Sequence, residues 1–137
     1  MSIIGIDSGS TFVKIIETDE RLNILHKMIL KKMETEKAFD IFIKREQIKR
    51  EQIKKIVVTG IGKDNINENI QNIETIKVDE FEAIATGGLF LAQKKKALIV
   101  SIGTGTALVL AHGKKYTHIG GTGVGGGTLF GLSNYIQ

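Results

Sequence analysis

Ser101-Ile102-Gly103-Thr104-Gly105-Thr106 opens the stretch whose reading decides the fold. An apolar run to Ala111 and a short turn at His112-Gly113 follow. Next comes Ile119-Gly120-Gly121-Thr122-Gly123-Val124-Gly125-Gly126-Gly127-Thr128. Ten of the sixteen glycines fall between Ser101 and Gly131. Glycine at this density costs backbone entropy and needs a reason. A chain that must come close to a ligand and aim N–H groups at anionic oxygens supplies one. A flexible linker is the competing explanation, but linkers lack flanking strands, and these glycines interleave with threonines instead of forming a Gly/Ser run. Phosphate or anion binding is the expectation.

Two familiar phosphate motifs do not account for it. Gly121-x-Gly123-x-x-Gly126 has dinucleotide-binding spacing, but the acidic residue needed about 20 positions further on is not reached before Gln137. No Gly-x-x-x-x-Gly-Lys-Ser/Thr occurs either. What remains is a pair of strand–turn–strand units, Asp7 to Thr11 and Ser101 to Thr106. Facing one another, they would grip a nucleoside triphosphate through backbone N–H groups.

Composition excludes several classes. Across 137 residues the hydrophobic content is 42%, and no apolar run is long enough to span a bilayer, so no membrane partner is expected. Met1-Ser2-Ile3-Ile4-Gly5 enters structure without an export signal, and with no cysteine a cytoplasmic setting fits. Three scattered histidines make a zinc site improbable. The net charge is +4, but between Lys27 and Lys55 ten basic residues interleave with five acidic ones. That pattern is a solvated face rather than a nucleic-acid stripe.

Along the chain, Ile3–Asp7 and Thr11–Glu17 read as a hairpin exposing Asp7, Ser10 and Thr11, with Leu22–Lys32 as a third strand. Helical spacing of Ala38, Phe39, Phe42 and Ile43 predicts a helix over Glu34–Lys54, capped by Thr35. Within it Arg45-Glu46-Gln47-Ile48-Lys49 is repeated at once as Arg50 to Lys54, read as a lengthening of the helix. Ile56–Thr59 is a short buried strand stopped by Gly60-Ile61-Gly62, Asp64–Gln71 a short helix or loop, and Ile73–Val78 a weak strand. Asp79–Gln93 is a second helix with Phe81, Ile84, Ala85 and Leu89 inward. Its first turn holds Asp79, Glu80 and Glu82, which complement the helix dipole or offer a general base. Ala97–Ser101 is a buried strand paired with Thr106–Ala111, Tyr116–Ile119 follows, and a helix starts at Thr128.

Gly5-Ile6-Asp7-Ser8-Gly9-Ser10-Thr11-Phe12-Val13-Lys14 resembles the first phosphate loop of the actin-like, sugar-kinase and Hsp70 ATPase superfamily. Ser101 to Thr106 resembles its second phosphate loop. Asp79-Glu80-Phe81-Glu82-Ala83 and Gly120 to Leu132 are similar to type II (eukaryotic-like) pantothenate kinase. The resemblance runs from residue 3 to the end. It implies an α/β fold with an RNase H-like mixed sheet flanked by helices over 1–95, and the first hairpin and helix start of a second such domain over 96–137.

It also implies site roles. Gly9, Ser10, Thr11, Phe12, Val13, Lys14, Ile15 and Ile16 would hold the ATP phosphates, with Asp7 on Mg2+. Glu80 would take the proton from the pantothenate hydroxyl, and Thr104 would touch ATP or substrate. Gly126, Gly127, Thr128, Leu129 and Phe130 would cover the nucleotide, with His118, Gly120 and Gly121 near the substrate. Where the family commonly has an arginine facing the substrate carboxylate, this chain has His118, a weaker anion partner. The family's adenine-binding half lies beyond Gln137, so the isolated chain is expected to be inactive, with a homodimer possible only in a complete protein. Kinases of N-acetylhexosamines or other sugars, the dehydratase-activating ATPases (whose cluster cysteine is absent here) and a non-catalytic remnant or regulatory module are the alternatives.

Overall fold

β1 (Ser2–Ser8) alternates strictly, burying Ser2, Ile4, Ile6 and Ser8 on one face and leaving Asp7 partly open on the other. The structure is a computed structural model that describes residues 1–66 and 68–136. Asn67, inside the expected 64–71 segment, and Gln137, at the end of the expected second domain, lie outside them. β2 (Phe12–Asp19) returns antiparallel to β1, and β3 (Ile24–Lys31) pairs antiparallel with β2. β4 (Ile53–Thr59) and β5 (Thr75–Lys77) run parallel on the other side, giving the order β3-β2-β1-β4-β5. This is the mixed sheet the sequence led us to expect. Helix α1 (Thr35–Arg45) lays Ala38, Phe39, Phe42 and Ile43 over Ile4, Ile6, Val13, Ile15, Ile56 and Val58.

The long first helix is corrected. α1 ends at Arg45 because Gln47 turns left-handed (φ 56°) and the Ile48 N–H donates back to the Ile43 carbonyl at 2.9 Å. Five residues on a helix turn through about 140°, so Ile48 and Ile53 of the two copies would face different ways. Breaking the helix lets both reach the core: Ile48 packs on it partly and Ile53 is buried at the head of β4. Arg50–Gln52 forms only a 3-10 turn. Thr35 is not the cap either. It is the first helical residue and buried, and Glu34 precedes the helix with no side-chain cap.

Packing divides the chain at Val78/Asp79 into two units, 1–78 and 79–137. The reason is α2 (Glu80–Ala92), whose Ala85 and Leu89 form a second core with Val109 and Ala111. That core lies on an antiparallel meander, β6 (Lys96–Ile102), β7 (Thr106–His112) and β8 (Lys115–Thr122). β6 is not the buried strand expected: α2 covers the Ala97 and Ile99 face, while Leu98, Val100 and Ile102 are exposed on the other. α3 (Gly126–Tyr135) begins two residues before Thr128.

Candidate functional site

In the first unit, residues 9–11 span the tip between β1 and β2. The Gly9 N–H closes the turn on the Phe12 carbonyl at 3.0 Å. Asp7 and Lys14 are cross-strand partners, and the Lys14 ammonium meets the Asp7 carboxylate at 2.7 Å. Under the tip lies a floor of glycines. Gly60 adopts φ 82°, and a Cβ there would fall 2.6 Å from the Ser8 carbonyl oxygen and 2.9 Å from Asp7 Oδ1. A Cβ on Gly62 would fall 2.0 Å from Ser8 Oγ, which is buried and accepts from the Thr35 hydroxyl at 2.9 Å. Gly60 and Gly62 thus do more than stop β4: they let its end pass beneath the loop.

Among the residues expected on phosphate, Val13 and Ile15 turn their side chains into the core, while Phe12 and Lys14 face outward. Among the described residues no three His, Asp or Glu side chains gather to cage a metal. Asp7 fits magnesium only as one oxygen ligand beside phosphate oxygens and water, which is how that ion is usually held.

In the second unit the glycine-rich stretches lie against each other. The Gly126 N–H donates to the Gly103 carbonyl at 2.8 Å and the Gly127 N–H to the Thr104 carbonyl at 3.0 Å. Thr106 Oγ1 donates to the Val124 carbonyl at 2.8 Å. A Cβ on Gly125 would stand 2.7 Å from the Gly105 carbonyl oxygen, and one on Gly127 would stand 2.7 Å from Thr104 Cγ2. Much of the glycine density therefore serves backbone-to-backbone packing. The N–H groups of Thr128 and Leu129 also donate, to the Gly125 carbonyl at 3.1 and 3.3 Å. The first amides of α3 are engaged, so contact with a nucleotide from Gly126 to Phe130 would come through side chains such as the exposed Leu129 and Phe130.

The acidic turn divides its labour. Asp79 is the N-cap of α2, accepting from the N–H groups of Phe81 and Glu82 at 2.9 and 3.2 Å. Glu80 is exposed at the first helical position, and among the described residues no hydrogen bond or ion pair engages its carboxylate. Phe81 stacks on His118 of β8, with ring centroids 4.1 Å apart and planes 10° from parallel. The candidate base and the candidate substrate residue are thereby brought to one end of this unit. Gly120 and Gly121 follow His118 beyond a bulge in the β7–β8 register, and a Cβ on Gly121 would fall 2.6 Å from the Thr106 carbonyl oxygen.

Tyr116, also on β8, has its phenol pushed above the ordinary value, first by the packing around its ring and then by the carboxylates of Asp79 and Glu82. Its hydroxyl donates to Asp79 Oδ1 at 3.5 Å. Asp79→Ala is expected to cost about 1 kcal/mol of stability through the lost cap. It should also move the Tyr116 titration down toward about 10. Thermal unfolding and an ultraviolet titration of the phenolate read the two effects separately.

Sequence reasoning missed three contributors. The Ser8–Thr35 pair joins residues 27 positions apart, and Phe81–His118 joins two elements that no local pattern relates. Lys32, just past β3, reaches back to the loop and donates to the Gly9 carbonyl at 2.9 Å. The one signal available was the Gly60-x-Gly62 spacing directly after an apolar strand.

No family model matches the chain. It is similar to curated proteins named type II pantothenate kinase. With that of Bacillus cereus (strain ATCC 10987 / NRS 248) it shares 31% identity over 98% of this chain and 49% of the relative. With that of Staphylococcus aureus (strain bovine RF122 / ET3-1) it shares 34%, again over 98% and 49%. The chain therefore spans about half the length of the curated relatives it matches. Among solved structures it is similar to (R)-2-hydroxyglutaryl-CoA dehydratase component A of Acidaminococcus fermentans, with a TM-score of 0.75 at 18% identity over 99% of this chain and 54% of that one. It is also similar to the ROK hexokinase of Thermus thermophilus, with a TM-score of 0.55 at 17% identity over 92% and 50%. The α/β architecture described above is the fold these structures share with the chain.

Proposed function

We propose that this actin-like ATPase fold carries the phosphate-binding half of a type II pantothenate kinase, which moves the γ-phosphate of ATP to pantothenate as the first step of coenzyme A synthesis. What supports the reading is identity of about one-third to curated pantothenate kinases along nearly the whole chain. The loop chemistry suits it, because phosphoryl transfer asks the protein mainly to position groups and neutralise charge.

In this reading Ser10, Thr11 and Lys14 hold phosphate oxygens at the tip of the first hairpin, and Thr104 belongs to the corresponding loop of the second unit. Asp7 would be one of the oxygen ligands of magnesium, which would supply neutralisation of phosphate charge. Glu80 accepts the proton from the pantothenate hydroxyl as its oxygen bonds to the γ-phosphorus. The bond from that phosphorus to the bridging oxygen then breaks, and ADP leaves. Lys14 forms an ion pair with Asp7 at 2.7 Å, so the two side chains share this end of the hairpin.

His118 favours a second substrate class. Its ring lies flat on Phe81 where the family commonly offers a guanidinium, and an aromatic platform of this kind also suits the apolar face of a sugar. Calorimetry of residues 1–137 with magnesium-ATP, followed by phosphorylation assays with pantothenate, N-acetylglucosamine and glucose, tests the reading. We expect nucleotide binding, no turnover by the 137-residue chain, and turnover of pantothenate once the chain is joined to the unmatched half of a relative. Sugar turnover by the completed enzyme overturns the substrate assignment, and absence of nucleotide binding overturns the phosphate loop.

A further inference from the structure

The tip at residues 9–11 is served by a cation from outside the hairpin. The β2–β3 ladder pairs Phe12 with Lys31, and the next N–H, that of Lys32, donates to the Thr11 carbonyl at 2.9 Å. This fixes the Lys32 backbone at the base of the tip. From there its ammonium donates to the Gly9 carbonyl at 2.9 Å.

We propose that Lys32 is a positioning residue of an anion site at residues 9–14 whose ligand class is the polyphosphate chain of a nucleoside triphosphate. The proposal rests on the phosphate-loop reading and adds to it a residue that no loop motif contains. Three arguments carry it. In a trans peptide the C=O and the following N–H point to opposite sides, and no peptide bond here is cis. Holding the Gly9 carbonyl therefore turns the Ser10 N–H away from the ammonium and fixes its direction before any ligand arrives.

Carbonyl oxygens repel anions, and those of Gly9, Thr11 and Phe12 are occupied in turn by the Lys32 ammonium, the Lys32 N–H and the Gly9 N–H. Charge supplies the third argument. Asp7 pairs with Lys14 at 2.7 Å, which offsets that lysine's charge. Among the described residues no carboxylate pairs with Lys32, so its charge adds to the positive potential at the tip.

The test is binding of inorganic tripolyphosphate to the 137-residue chain by calorimetry, for wild type, Lys32→Met and Lys32→Arg. Thermal unfolding and the backbone amide signal of Ser10 are recorded alongside. Lys32→Met is expected to weaken binding roughly tenfold or more, the scale of a charged hydrogen bond. Lys32→Arg should stay within about threefold of wild type, since it keeps the donor and the charge. Because Lys32 is exposed, the melting midpoint should move little, while the Ser10 amide signal shifts in the Met variant before any ligand is added. Binding by Lys32→Met within twofold of wild type, with wild type binding well, overturns the proposal alone. A wild-type chain that takes up no tripolyphosphate overturns the loop reading and this proposal with it.

Discussion

Glu80→Gln, placed in the chain completed with the unmatched half of a pantothenate kinase, is expected to lower turnover by about 10²- to 10⁴-fold, the usual worth of a positioned general base. Glutamine keeps the shape and cannot take the proton. Affinity for magnesium-ATP should stay within about twofold, because Glu80 belongs to the acceptor side of the reaction. Nor should the helix suffer, since its N-terminal N–H groups are capped by Asp79 and not by Glu80. Glu82→Gln is the control: it lies in the same turn, carries the same charge and has no assigned proton transfer. Equal losses in both variants would reduce the effect to the charge of the turn. Steady-state rates with pantothenate, read beside nucleotide calorimetry, decide between the two.

Gly60→Ala is expected to damage the first unit severely. Its backbone at φ 82° and ψ 177° lies in a region that is almost wholly glycine's, a cost of about 1–3 kcal/mol for other residues. The added Cβ would also fall 2.6 Å from the Ser8 carbonyl oxygen, so a rigid backbone must give way, for a further ~1–3 kcal/mol. A loss of about 3 kcal/mol in a unit of this size lowers the melting midpoint by roughly 10–20 °C. Gly113→Ala separates the two causes. Gly113 also has positive φ, at 59°, but a Cβ there meets nothing within 4 Å. It should cost only the left-handed penalty, about 1–2 kcal/mol. Thermal unfolding of the two variants side by side measures the difference, and nucleotide calorimetry on Gly60→Ala reports whether displacing Asp7 weakens magnesium-ATP.

Local patterns made much of the architecture legible. Alternation in Ile3–Asp7 and Thr11–Glu17 announces the first hairpin, and the spacing of Ala38, Phe39, Phe42 and Ile43 announces the helix across it. Both signals come from one face meeting one core. The duplicated pentapeptide misled because helix propensity continues through it, whereas the burial of Ile48 and Ile53 is decided by a core assembled from distant strands. Glycine density correctly marked a place where backbones come close. It could not say that Gly125 and Gly127 approach the chain's own Gly105 and Thr104. Lys32 was out of reach for the same reason, since 23 residues separate it from the carbonyl it holds.

Leu98, Val100 and Ile102 alternate outward along β6, with Leu110 opposite Leu98 on β7, so the meander shows water an oily row on the side away from α2. The cost of wetting such a row grows with its area, and it grows further in sulfate or phosphate and on warming from the cold. Purification of the free chain is therefore governed by how concentrated it can become before copies adhere, a limit separate from how firmly each copy folds. Chilled, dilute, weakly salting buffers are where it should stay clear, and ammonium sulfate is where it should drop out first.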